Sequence, residues 1–299
     1  MTKLAGLFRL RICGGGRAIF STFFRGGEDS ARRNSVRRPF MLNSRFFGGT
    51  FAMIKNALYL TGLFFAVVVP AAFAAESSAR EVAYFGETKG YLALPESADA
   101  APALILIHEW WGLNDDIRAK ARAFAAAGYV ALAVDLYGGQ TADSPDAARK
   151  LAGAVRRDSA AAFANLRAAA AYLRDSPRAD GARLGSVGWC FGGGWSYQIA
   201  KNDLGAKASV IYYGRFNPED DLSQMRAAIL GHFGEEDAAI RADDVREFQA
   251  RLRTHSGAHE IFIYPHAGHG FANPDNPSHD PEAAETANLR TLDFLRRHL

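Results

Sequence analysis

Cys190 stands between two glycines in Gly188-Trp189-Cys190-Phe191-Gly192, directly behind the apolar run 184–187. A strand that ends there and turns at once into a helix would hold its central residue in a sharp, strained bend, side chain outwards. The residues two positions either side must then be small, so that the turn can close. The next backbone N–H, that of Phe191, would face the reacting oxygen. A thiol presented in this way is a nucleophile suited to acyl transfer.

Such a nucleophile needs a base and an orienting acid, which in this kind of turn follow in the order nucleophile, acid, histidine. Both candidates arise where apolar runs end. Residues 229–233 lead into Gly234-Glu235-Glu236-Asp237, and residues 261–264 are soon followed by Ala267-Gly268-His269-Gly270-Phe271. Asp237 would fix the tautomer of His269 and stabilise its cation. His269 would take the thiol proton and return it to the leaving group. Glu235 and Glu236 are rival acids at this level.

A second donor for the oxyanion comes from His108-Glu109-Trp110-Trp111-Gly112-Leu113-Asn114, straight after the apolar run 104–107. That position assigns it to the Trp110 backbone. Glu109 is unexpected there, because a carboxylate repels developing negative charge. A useful role is to hydrogen-bond the Cys190 thiol and keep it protonated until substrate displaces the carboxylate. The plainer alternative is an ion pair with Arg118 or another nearby cation. Trp110, Trp111, Trp189, Phe191 and Trp195 would line an apolar pocket, with Trp195 equally suited to the core. His266-x-x-His269 lacks a third ligand at metal spacing, and Gly192-Gly193-Gly194 lacks the Lys-Ser/Thr of a phosphate loop. No metal or cofactor is expected.

The elements that must hold these groups read as an α/β fold, a mostly parallel central sheet flanked by helices. Residues 81–85 and 90–94 form a hairpin through 86–89. Strands are predicted at 103–107, 130–134, 184–187, 208–212, 227–233 and 260–264. Helices are predicted at 117–127 (ended by Gly128), within 147–173 as one long element, and at 192–201, 245–255 and 283–298. The loops 135–145, 214–221 and 268–281 follow strand ends, where α/β sheets place ligand sites.

Together, His108 to Asn114, Asp135-Leu136-Tyr137, Gly188 to Gly193, Gly234-x-x-Asp237, Ala267 to Phe271 and Asn288 to Leu295 resemble the dienelactone hydrolases. The resemblance spans roughly residues 82–295. It implies an α/β-hydrolase fold, a Cys190–Asp237–His269 triad and hydrolysis of an enol-lactone such as carboxymethylenebutenolide. It also implies the thiol contact given to Glu109 and substrate contacts by Trp111, Tyr137 and Arg149. One departure is plain: the family's carboxylate-binding arginine after His-x-Phe is absent from Phe271-Ala272-Asn273-Pro274. A non-catalytic ligand-binding or redox-sensing protein on the same fold is the competing reading, and it has no need of all three triad residues.

The chain has 299 residues, of which 53–75 read as a secretory signal peptide: Met53-Ile54-Lys55, an apolar core, and the small-x-small site Ala72-Phe73-Ala74. An uncleaved anchor helix is the alternative, disfavoured because the apolar stretch is short for a bilayer. Residues 1–52 carry ten Lys/Arg against two Asp/Glu and read as a basic leader or a mis-assigned start, with translation beginning at Met53. Removing the chain up to Ala74 turns a formal charge of +3 into 24 basic and 30 acidic residues, which removes the case for a nucleic-acid partner. It also leaves Cys190 as the only thiol, since Cys13 lies in the leader. Residues 76–299 then form one domain, a periplasmic or secreted monomer acting on a small lactone or ester, with no stable membrane partner.

Overall fold

The computed structural model describes residues 78–299; the stretches read above as a basic leader (1–52) and a signal peptide (53–75) lie outside the described residues. Apolar runs punctuated by turns become eight strands: β1 (Ala79–Phe85), β2 (Thr88–Ala93), β3 (Ala101–Ile107), β4 (Val130–Val134), β5 (Ala179–Trp189), β6 (Ala208–Tyr212), β7 (Ala228–Gly234) and β8 (Glu260–Tyr264). They form one sheet in the order β1-β2-β4-β3-β5-β6-β7-β8. The β1–β2 hairpin and the β2–β4 pair are antiparallel, and every other pair is parallel.

Six helices cover the two faces: α1 (Asp115–Ala126), α2 (Pro145–Arg157), α3 (Ser159–Arg174), α4 (Phe191–Lys201), α5 (Ala242–Thr254) and α6 (Pro281–His298). The two-residue period of the strands sorts the core between them. Leu104, Leu106, Val187, Val210 and Leu230 pack with α1 and α6. Ile105, Ile107 and Leu132 pack with α3 and α4, while Ile211 and Ile229 pack with α4 and α5. This is the expected mostly parallel α/β sheet with helices on both sides. Among the described residues no helix is long and apolar enough to cross a membrane.

Two elements differ from the sequence reading. The single helix expected within 147–173 is two, because Asp158 leaves the helical region (φ −110°, ψ 62°) and its carboxylate accepts the Ala161 N–H at 3.1 Å. A short acidic side chain satisfies an N-terminal N–H better than it serves a helix interior, so it starts α3 rather than continuing α2. The break lets α2 contribute to the wall of the cleft. β5 also begins at Ala179 rather than near 184, since Ala179 and Asp180 already pair with β3 before a register shift. That polar lead-in has no strand periodicity.

The tightest backbone contact lies at the end of β5. A Cβ on Gly192 would meet Ile107 O at 2.1 Å and His108 O at 2.6 Å, and one on Gly188 would meet Gly192 O at 2.0 Å. Backbone atoms cannot step aside as a flexible side chain does. Gly192→Ala is therefore expected to cost about 3 kcal/mol or more, lowering Tm by roughly 6–12 °C in a domain of this size. An unchanged melting curve would show that the turn has room to spare.

Candidate active site

β5 passes through Cys190 into α4 without an intervening loop. Cys190 sits at φ 52°, a conformation that side-chain-bearing residues rarely adopt, and its N–H is held by Tyr212 O at 2.9 Å. Strain of this kind persists only where the surroundings impose it. Here the neighbouring strand and the close packing of Gly188 and Gly192 do so. Phe191 opens α4, so its N–H is one of the helix's first-turn donors without an intrahelical acceptor.

β7 and β8 deliver the other two groups. His269 Nε2 lies 3.1 Å from Cys190 Sγ, and its Nδ1 lies 2.8 Å from Asp237 Oδ2. The Asp237 carboxylate is fully buried, and its Oδ1 accepts the Ala239 and Ile240 N–H groups at 2.7 and 2.9 Å. Burial opposes a charge on His269. The hydrogen bonds and charges of Asp237 and Cys190 outweigh it, raising the imidazole from 6.5 to about 10. Those interactions favour the imidazolium form of the ring at neutral pH. The rival acids point elsewhere: Glu235 pairs with Arg246 at 2.5 Å, and Glu236 faces His266 at 3.4 Å.

Cys190 and His269 open onto a cavity of about 740 Å³. Trp110, Trp111 and Phe191 lie on it near the thiol, while Phe163, Trp195 and Ala152 form a mainly apolar wall from α2, α3 and α4. The Trp110 and Phe191 N–H groups, the two expected oxyanion donors, have no hydrogen-bond acceptor among the described residues.

Glu109 reaches the cavity but departs from its expected contacts. Its Oε2 accepts Asn273 Nδ2 at 2.6 Å and its Oε1 accepts the Tyr213 hydroxyl at 3.1 Å. The expected hydrogen bond to Cys190 is not formed, because the sulfur faces His269 and both carboxylate oxygens are occupied. Arg118 does not pair with Glu109 but sits with Glu81 at 3.3 Å, and Lys120, the cation whose charge reaches Glu109, is paired with Asp116. Burial pushes the Glu109 carboxyl above its usual range, against the opposing Asn273 hydrogen bond and the Lys120 charge.

Two other positions, Tyr137 and Trp189, lie off the cavity, and Arg149 lies on its rim. Tyr137 is buried behind the cavity rather than lining it, with its hydroxyl donating to Trp110 O at 3.2 Å. It therefore supports the loop and does not touch substrate space. Trp189 packs on the other face of the sheet against Tyr212 and Phe124. Arg149 does line the cavity, but at its exposed edge and paired with Asp146. The sequence reading missed Arg156 and Arg215, which also line the cavity and have no ion pair among the described residues; Arg156 lies over the Phe191 ring at 6.0 Å. Arg215 falls in a strand-end loop already marked as ligand-binding, whereas Arg156 was hidden in the helix whose break was not foreseen. Tyr213 (φ 38°) and Asn273 were likewise legible only as neighbours of motifs.

Comparison with known proteins agrees with this architecture. The sequence profile of the dienelactone hydrolase family matches residues 88–299. A protein of Methylorubrum extorquens that carries the name carboxymethylenebutenolidase is 28% identical over 226 residues, covering 71% of this chain and 78% of the relative. A Bradyrhizobium protein named for 2-oxo-3-(5-oxofuran-2-ylidene)propanoate lactonase activity is 32% identical over 227 residues, covering 72% and 91%. A crystal structure from Klebsiella pneumoniae, titled as a dienelactone hydrolase, superposes with a TM-score of 0.66 at 28% identity, covering 73% of this chain and 98% of that one. The chain belongs to the dienelactone hydrolase family and is a carboxylic ester hydrolase.

Proposed function

We propose that this chain is an exported hydrolase that opens a lactone or carboxylic ester through a thioester on Cys190. The observation that carries the reading is His269, hydrogen-bonded to Cys190 on one side and to the buried Asp237 on the other. In the resting pair the proton sits on His269. The sulfur attacks the carbonyl carbon, a C–S bond forms, and the carbonyl π electrons move to oxygen. The Trp110 and Phe191 N–H groups hold that oxyanion. Collapse breaks the C–O bond, and the departing oxygen takes the proton from Nε2. The now neutral His269 draws a proton from water, whose oxygen attacks the thioester. A second collapse releases the carboxylic acid and restores the sulfur–imidazolium pair.

The substrate class follows from the cavity and from the relatives' names, which point to lactones that carry a carboxylate. The arginine that family resemblance leads one to expect after Phe271 is replaced by Asn273, which is committed to Glu109. Arg156 and Arg215 take over the anionic end in this reading, and the aromatic wall takes the apolar remainder. A panel of lactones and esters with and without a carboxylate tests it. Arg156→Ala combined with Arg215→Ala is expected to raise KM about tenfold for carboxylate-bearing substrates and to leave neutral esters unchanged. Equal effects on both classes would remove these arginines from recognition. The export part of the proposal rests on residues 53–75, and mass analysis of protein expressed from Met53 is expected to find Ala75 or Glu76 at the N-terminus. An intact Met1 on a cytosolic species overturns that part.

A further inference from the structure

His108 follows β3 directly and is completely buried, yet the chemistry above assigns it no step. Both ring nitrogens are engaged. Nε2 accepts the Leu136 N–H at 3.2 Å, so in the neutral ring the proton must sit on Nδ1. Nδ1–H donates to the carbonyl oxygen of Glu109 at 2.5 Å. Burial lowers the basicity of the ring, which keeps it in this neutral tautomer. The ring also stacks on Phe191 at 5.6 Å, with planes 16° apart, and meets Tyr137 edge-on at 4.6 Å. Tyr137 in turn holds the Trp110 carbonyl.

The Glu109 carbonyl and the Trp110 N–H belong to one planar trans peptide, so they point in opposite directions and cannot be oriented separately. Holding the carbonyl towards the buried ring turns the N–H away from it. The same ring packs on Phe191, the residue that carries the other donor, and Gly192 presses α4 against the Ile107 and His108 carbonyls. We propose that His108, backed by Tyr137, is a positioning residue for the oxyanion hole: its Nδ1–H clamps the Glu109 carbonyl and thereby aims the Trp110 N–H beside that of Phe191. This rests on the reading of those two N–H groups as the oxyanion donors. His108 touches no reacting atom; it acts through a peptide plane.

Two variants separate the roles of the ring nitrogens. The amide of His108→Asn comes close to the Nδ1 position and can still donate to Glu109 O, whereas that of His108→Gln reaches towards the Nε2 position and leaves the carbonyl only the longer bond from the Gly112 N–H at 3.3 Å. His108→Gln is expected to lower kcat about 10²–10³-fold, the usual loss for one oxyanion donor, with KM nearly unchanged. His108→Asn is expected to keep at least about tenfold more of kcat than His108→Gln. Iodoacetamide alkylation of Cys190, a displacement that creates no oxyanion, is expected to proceed at the wild-type rate in both. Affinity for an aldehyde analogue, which adds the sulfur to form an oxyanion, is expected to fall in step with kcat. Wild-type kcat in His108→Gln overturns the proposal, as does an alkylation rate that drops with kcat, because that reports a collapsed turn. Should His108→Gln not fold, Tyr137→Phe carries the test: a loss of about tenfold in kcat with unchanged alkylation supports the clamp, and unchanged kcat overturns it. Cys190→Ala is run beside them. Turnover surviving in Cys190→Ala defeats the underlying reading, whereas loss there with full kcat in His108→Gln defeats only the positioning role.

Discussion

Cys190→Ala is expected to lower kcat by about 10⁴-fold or more while leaving the melting temperature close to that of the parent. The turn tolerates alanine because its packing is set by Gly188 and Gly192, whose Cβ positions are filled by backbone, and not by the sulfur. Cys190→Ser is expected to be nearly as impaired. A serine hydroxyl is a far weaker acid than a thiol, so a base matched to the sulfur activates it poorly. One equivalent of iodoacetamide is expected to abolish activity, and acid quenching during turnover to trap an acyl adduct on Cys190 by mass spectrometry. A redox-sensing or purely ligand-binding protein would show neither turnover nor adduct. Substantial activity in the alanine variant would refute covalent catalysis by this residue.

Asp237→Asn is expected to lower kcat by roughly 10²–10⁴-fold with KM little changed. Oδ1 already accepts two N–H groups and Oδ2 accepts His269 Nδ1. An amide placed there must turn its NH₂ towards a donor on one side or the other. The pH dependence carries the same information. His269 rises from 6.5 to about 10 on folding, so between those values the folded state binds more protons than the unfolded chain. The stabilisation is complete below pH 6.5 and is lost as pH rises through about 10. The alkaline limb of kcat/KM is expected near pH 10 for the same reason, because the general acid is then lost. In Asp237→Asn that limb is expected to move towards the ordinary histidine value and the melting temperature to become flatter with pH. A parent enzyme with its alkaline limb near pH 7 would show that the imidazolium is not stabilised, and would return His269 to the role of resting base.

Cys190, Asp237 and His269 could be singled out in the sequence because they follow the ends of apolar strands by one, three and five residues, and a parallel sheet gathers its strand ends along one edge. The elbow was legible for a local reason too: the need for small residues on both sides of the nucleophile is written within five positions. Choosing Asp237 over Glu235 and Glu236 needed direction as well as position, since consecutive side chains leave a loop on different sides. Glu109 lay beyond local reading altogether. Its partners, Tyr213 and Asn273, stand 104 and 164 residues away, and only the folded sheet brings them to one buried point. The same holds for the two arginines on the cavity, which depend on α2 breaking from α3 at Asp158 and on the turn after β6. Tyr137 and Trp189 were rightly read as near the site along the chain, but the pleat and the turn send one behind the loop and the other to the opposite face. Position along the chain is written in strand periodicity and turn chemistry; the direction of a side chain, and what it finds there, is decided by packing between segments far apart in sequence.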